Sequence, residues 1–528
     1  MKKTGESGKD LELARIDRRT FAGGLAAGIS LAGTALGSST AASATQKSGG
    51  HFRLGLAAGQ TSDTLDPAVI ENTMINSLVV GVADYLTGLD QDSKIEPGLA
   101  ETWEASSGAS NWVFSLRKGV SFHNGKDLTA DDVIASINYH RGEDSKSAAK
   151  AVVSQIKSIS KDGSGAVRFE LEAGNADFAY QLSDYHLAIF PSDGSGKIDW
   201  QSGIGSGPFM LESFEPGVRA IVKRNPNYWR QNVPHFDSAE LLSLVDPTAR
   251  VNALVTGAVD TINRVTYSTA GLLEKNSDIT VDQVTGTQCF HYAMRCDTAP
   301  FDNPDVRLAV KYAINRDQFV SKVLKGYGSV GNDHILGPSN QFYDPTIEQR
   351  AYDPDKAKYH LKQAGLSNLD ISLHVAESVY AGCVDGAVLF KESAQAAGIN
   401  VKVAREPGDG YWSNVWMKQP MSASYWSGRP TADWLFTYTY AGDSKWNDTF
   451  WQNDRFNKIL VDARSETNHK KRVEMYSELQ KIMRNDNGAV VFAFADHVMA
   501  RRNNVQHGKL SGAQDMDGNR SLERWWFS

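Results

Sequence analysis

Cysteine is scarce in this sequence. There are three residues, Cys289, Cys296 and Cys383, and the first half of the chain has none. An odd number cannot all pair within one chain, which excludes a disulfide scaffold. Cys289 and Cys296 fall seven apart on what reads as one strand, hence on opposite faces, so a bond between them is not expected. A bridge from either to Cys383 stays open. Long apolar runs are also missing. One uncharged stretch of mostly small side chains, Ala22 to Leu36, is about 15 residues, too short and too weakly apolar for a membrane span. Basic charge is not in excess either. The formal net charge is −7, which argues against nucleic acid and anionic membranes as partners. There is no G-x-S-x-G, no H-E-x-x-H and no C-x-x-C, so the common signatures of hydrolase, zinc-protease and redox chemistry are absent. "DGSGKID" lacks the first glycine of a phosphate loop and the Ser/Thr after Lys197, and reads as a surface turn. No metal-ligand spacing relates the histidines. No enzyme activity, cofactor or metal is expected.

What is present begins with an address. "IDRRTFAGG", the uncharged stretch after it and "ASA" at Ala42–Ala44 give the charged, apolar and small-residue regions of a secretory signal. Arg18 and Arg19 ahead of Phe21 resemble the twin-arginine export signal, which a receptor reads and which does not anchor the chain. A chance Arg pair in an ordinary Sec leader is the alternative. Cleavage is expected after Ala44, and without a cysteine there no lipid can be attached. The expected product is soluble, exported and monomeric, without a direct membrane anchor.

The whole sequence is 41% hydrophobic and 22% charged, an ordinary globular composition. Its length suits two or three domains. No repeats or long linkers interrupt it. "NWVFSLRKGVSFHNG" places Trp112, Phe114 and Leu116 on one face, as in a half-buried hairpin turning at Asn124-Gly125. "DLTADDVIASINYH" predicts a helix capped by Thr129, with Asp131 and Asp132 in its first turn. "PDVRLAVKYAINRDQFVSKVLKGYG" reads as one amphipathic helix stopped by Gly326, and "DRFNKILVDARSETNHKKRVEMYSELQKIMRN" as one long helical region. Between them strands and helices alternate, through "ISLHVAE", "VDGAVLFKESAQAAG" and "NVKVAR", which points to a mixed or parallel sheet flanked by helices.

Four ordered blocks then carry a resemblance: Pro97 to Ile137, "GIGSGPF" at Gly203–Phe209, "KRNPNYW" at Lys223–Trp229, and "FDNPDVRLAVKYAINRDQFV" at Phe301–Val320. Together they resemble the family 5 extracellular solute-binding proteins, the dipeptide-, oligopeptide- and nickel-binding receptors of ATP-binding-cassette importers. The resemblance implies an α/β protein of two lobes that close on a ligand about a hinge, with permease subunits as partners. It also implies these boundaries: signal 1–44, first lobe 45–80, a small inserted domain 81–200, first lobe again 201–289, second lobe 290–492, and a return to the first lobe over 493–528.

The candidate ligand residues lie in three aromatic-rich loops of the second lobe: "GDGYWSNVW" with Tyr411 and Trp412, "SASYWSGRPTADWLF" with Tyr425, Trp426, Ser427 and Arg429, and "DSKWNDTFW" with Trp446 and Asn447. Binding proteins hold polar ligands by aromatic faces and a few directed hydrogen bonds. In peptide-binding members of the resembled family, the second segment looks like Trp-x-Gly-Asp, and that aspartate pairs with the peptide's α-amino group. Here the position is Arg429. An arginine against an ammonium leaves two like charges in a dry cleft, whereas a carboxylate gains two parallel charge-assisted hydrogen bonds. The expected ligand is therefore a small acidic organic solute, an opine-like sugar–amino acid conjugate or an amine-blocked peptide. The alternatives are an ordinary di- or oligopeptide receptor and a metal or metallophore receptor. Arg429 facing solvent or pairing with Asp433 is the reading against a ligand role, and Asp433 orienting its guanidinium is another option. Weaker candidates are Arg295, as a carboxylate ligand at the lobe entrance or in a hinge salt bridge, and Asp63 and His186 in first-lobe loops.

Overall fold

The computed structural model describes residues 46–528 apart from residues 71, 409, 410, 430 and 443. The expected signal, cleavage site and twin arginines lie outside the described residues. Among those residues no helix is long and apolar enough to cross a membrane.

The fold is mixed α/β. Two strands organise it: Ile279–Met294 and Ala489–Arg502 pair antiparallel along nearly their whole length. They occupy the middle of an eleven-stranded sheet. On one side follow Met421–Trp426, Leu369–Val375 and Ile399–Arg405; on the other Thr261–Ile262, His51–Leu56, Ser238–Ser243, Arg219–Arg224 and Phe209–Glu215. The parallel pairs in each wing, such as His51–Leu56 with Ser238–Ser243, are bridged by intervening helices or longer segments, as parallel pairing demands. The chain thus passes between wings along two neighbouring strands. Their register shifts between Val284 and Gln288. There Gly286 approaches so closely that a Cβ would stand 2.4 Å from the Ala495 carbonyl oxygen.

A separate four-stranded antiparallel sheet runs Ala100–Ala105, Asn111–Leu116, Ala166–Leu171, Ile156–Lys161. Trp112, Phe114 and Leu116 all point into its core, as their alternation predicts. Phe114 meets Phe169 edge-on at 5.5 Å between ring centroids. The helix Ala130–Tyr139 covers this sheet. Its start is fixed by Asp132, which accepts from the Thr129 backbone N–H at 2.9 Å and from that of Ser192 at 2.7 Å.

Three expectations need correction. The first long helix is broken: Pro304–Ala313 ends at Ile314, whose backbone is extended, and Asn315 caps a new short turn by accepting from the Gln318 N–H at 3.1 Å. The break turns Arg316 inward, where it meets Asp333 at 2.7 Å in full burial. The second helical region is two helices, Asp454–Ser465 and His469–Asp486, because Glu466 turns extended and Asn468 starts afresh by capping. Cys296 does not share a strand with Cys289; it lies beyond Met294. All three cysteines are free thiols. Burial pushes the Cys289 and Cys383 thiols up to about 12, which suppresses the reactive thiolate.

Lys311, in the last turn of the helix Pro304–Ala313, is fully buried, donating to the carbonyls of Arg484 at 3.0 Å and Met483 at 3.3 Å. Burial pushes its ammonium down to about 7, against the upward pull of Asp333. The unfolded chain therefore holds this proton from pH 7 up to the ordinary lysine range while the folded chain does not, and stability rises with pH across that window. Urea melts from pH 7 to 9 should show wild type gaining stability relative to Lys311→Met. A difference that does not change with pH contradicts the assignment.

Candidate functional site

Between the two wings lies a cavity of about 1230 Å³, floored by the crossing strands at Thr287–Gln288 and Ala495–Val498. Asn72, Thr73, His186 and Arg264 line it from the side of the first strand. Tyr425, Ser427, Arg429, Trp434, Tyr438 and Trp446 line the facing wall.

The facing wall is built by one loop and the helix after it. Gly428 lies against the crossing strand so tightly that a Cβ would stand 2.2 Å from the Thr287 Cβ. This contact seats the loop. Thr431 then caps the helix Ala432–Thr439 by accepting from the Trp434 N–H at 3.1 Å. Trp434 and Tyr438 are four apart, hence on one helical face. The Arg429 guanidinium rests over both rings, 5.9 and 5.7 Å from their centroids. Among the described residues its one hydrogen bond is weak, from Nη1 to the Gly428 carbonyl at 3.3 Å. Among the described residues no carboxylate pairs with it.

Asp433 neither pairs with Arg429 nor orients it. It is buried and accepts from Arg464 Nε at 3.1 and 3.2 Å. Burial raises its carboxyl to about 6 even against the opposing pull of Arg464. The helix carries Asp433 away from the loop, because it sits on a different face from Trp434 and Tyr438.

Trp446, 42% exposed, stands in the wall with Trp426 stacked behind it at 6.1 Å and Tyr438 edge-on at 4.5 Å. Tyr425 is half-buried and Ser427 exposed. On the other side His186 is buried. Its Nδ1 lies 2.7 Å from an Asp184 carboxylate oxygen and its Nε2 3.1 Å from the Ile70 carbonyl, so the ring is held from both ends.

The remaining candidates are not brought to the cavity wall. Trp426 is buried, donating from Nε1 to the Tyr440 hydroxyl at 3.2 Å, and serves as backing for Trp446. Tyr411 is buried and donates to the carbonyls of Ala423 and His374. Asn447 is buried too, tied to the Trp451 carbonyl and the Thr449 hydroxyl. Trp412 is exposed beside Tyr425 but outside the cavity. Arg295 forms a two-point ion pair with Asp297 at 3.0 and 2.8 Å and lies over Phe450. Asp63 accepts from the Gln60 N–H and from Asn72, closing its own loop. Sequence reasoning missed Arg264 and Tyr438. Tyr438 is legible in retrospect from its spacing to Trp434; Arg264 has no local signal. Among the described residues no group of histidines, cysteines and carboxylates is placed to hold a metal ion.

The arrangement is a polar, aromatic-walled receptacle between the two wings, with arginines among its lining residues. Comparison with known proteins agrees. The model of the bacterial extracellular solute-binding proteins, family 5 Middle, matches residues 94–448. The glutathione-binding protein GsiB of Salmonella typhimurium is 26% identical over 444 residues, 81% of this chain and 86% of that protein. HbpA2 from Haemophilus parasuis superimposes with a TM-score of 0.80 at 19% identity, over 91% of this chain and 100% of that one. AgaA from A. tumefaciens R10, solved in complex with agropinic acid, superimposes with a TM-score of 0.72 at 24% identity, over 91% and 99%. These solved structures share the two-lobe fold.

Proposed function

The chain belongs to the family 5 bacterial extracellular solute-binding proteins, and we propose that it captures a small carboxylate-bearing organic solute between its lobes for an ATP-binding-cassette importer. The observation that carries this reading is the Arg429 guanidinium. It faces the cavity from an aromatic platform, with no carboxylate partner among the described residues. A guanidinium stacked on rings keeps its N–H edge free for a planar acid, which it meets through two parallel bonds. A free peptide amine at the same place would face a cation. Sugar–amino acid conjugates and amine-blocked peptides fit these demands. Trp446 and Tyr425 offer flat apolar faces to the carbon skeleton, and Ser427 a hydroxyl.

The test is the compound released when gently purified protein is denatured. Mass spectrometry should find a carboxylate-bearing molecule without a free α-amine. A peptide with a free amino terminus overturns the reading. With that compound in hand, Trp446→Ala should weaken binding by roughly 10-fold, because an exposed ring backed by a second indole loses its stacking contact with the ligand. Unchanged affinity in calorimetry would place Trp446 outside the contact surface.

A further inference from the structure

We propose that Arg264 is a second anion-binding residue of this cleft, so that the solute is a diacid held by one arginine from each wall. The proposal rests on the carboxylate reading of Arg429 and extends it to the opposite side.

Arg264 follows the short strand Thr261–Ile262 and lines the cavity. Its backbone is left-handed, with φ of +47°. An arginine gains nothing from this conformation, which asparagine or glycine adopts more easily. The fold nevertheless fixes it firmly. Arg250, buried, donates to the carbonyls of Asn263 at 3.1 Å and of Arg264 itself at 3.2 Å. A backbone held this way at a cleft wall points to function.

The side chain is held far more loosely than the backbone. It is 58% exposed. Nε lies 3.4 Å from an Asp515 carboxylate oxygen, and Nη2 lies 3.4 Å from the Thr73 hydroxyl. Asp515 does not depend on it, since the same carboxylate accepts from Asn263 at 2.7 Å and from the Met516 N–H at 2.9 Å. Nη1 has no partner among the described residues. The other arginines on this wall are engaged: Arg520 with Glu523 at 2.9 Å, and Arg524 with the Leu89 carbonyl at 2.7 Å. Arg264 is thus the guanidinium of this wall with an open edge, as Arg429 is of the other. Asp515 meets Arg264 at one nitrogen only, at 3.4 Å, so in the drier closed cleft a solute with a single acid group leaves the open edge of one guanidinium unmet. A ligand with two acid groups compensates both, and it touches both lobes, as a ligand that favours the closed form must.

A matched pair of probes separates the roles: N-gluconoyl-glutamate and N-gluconoyl-glutamine, amides without a basic nitrogen, which differ by one carboxylate exchanged for an amide. By calorimetry, wild type should bind the glutamate compound at least about 10-fold more tightly, the worth of one additional charged contact. Arg264→Asn, whose backbone tolerates the left-handed conformation, should weaken the glutamate compound alone and bring the two within about 2-fold. Arg264→Lys should keep part of the preference. Arg429→Ala should weaken both. Equal binding of the two probes by wild type, or equal weakening of both by Arg264→Asn, overturns the proposal. If Arg429→Ala leaves both affinities unchanged while Arg264→Asn removes the preference, the reading of Arg429 fails and that of Arg264 stands. If neither probe binds, the acid groups of the released compound are counted by carbodiimide amidation and mass. Two support the proposal. One overturns it, and none overturns the carboxylate reading as well.

Discussion

Arg429→Ala should lower the affinity for the bound acid at least about 30-fold, close to 2 kcal/mol, because it leaves a carboxylate unpaired in a closed cleft. The fold has little to lose from the change. Arg429 makes one weak bond to the adjacent carbonyl and lies over two rings that the helix positions independently. The melting temperature of the empty protein should therefore stay near wild type, which separates a ligand role from a structural one. Arg429→Lys should recover only part of the loss, since an ammonium is a point charge without the planar fork. Unchanged affinity in Arg429→Ala removes the residue from the site.

The largest stability effect belongs to Asp333. Its carboxylate has no exposed surface and is held from both sides, by Arg316 Nη2 and by Arg350 Nε, each at 2.7 Å. Asp333→Asn keeps the shape and tolerates the left-handed backbone there, φ +60°. It strands two buried guanidiniums beside Lys311. The expected cost is about 4 kcal/mol of unfolding free energy, the usual consequence of removing one partner from a buried ion pair. Burial alone raises the Asp333 carboxyl, but Arg316, Lys311 and Arg350 more than offset it and hold it below the ordinary range. A depressed acid contributes its stability above the unfolded value and loses it as pH falls through the folded one. The gap between wild type and variant in urea melts should thus be full at neutral pH and narrow in acid. A loss under about 1 kcal/mol at pH 7 would mean that the cluster relaxes by taking up water.

Much of the fold is legible in local pattern. The alternation of "NWVFSL" reports a sheet with one buried face, and Thr129 with Asp132 reports a helix start, because both are short-range effects. The break at Ile314 is less visible. An amphipathic run continues through it, and the buried partner that Arg316 meets after it, Asp333, is not announced by the neighbouring sequence. The site divides in the same way. Tyr425, Ser427, Arg429 and Trp446 stand out because exposed-looking aromatics beside an arginine are unusual in a loop. Tyr411 and Asn447 share that look but turn inward to satisfy buried carbonyls, a role fixed only by tertiary neighbours. Arg264 sits in an unremarkable stretch. Its backbone is set by Arg250 and its surroundings by Thr73 and Asp515, none of which its own neighbours in sequence announce.

The two crossing strands carry a mechanical consequence. Sliding one lobe past the other would break the ladder between Ile279–Met294 and Ala489–Arg502 bond by bond, whereas bending at the register shift near Gly286 breaks none. Closure of the proposed kind would then bend at the irregular part of this ladder, where the register shifts near Gly286 and again between Phe290 and His291, and would carry the two cleft arginines toward each other. Such a device works as a calliper. With the proposed pair of arginines as jaws, it would gauge the span between the acid groups of its cargo, and a molecule of the right chemistry but the wrong length would leave one jaw unmet.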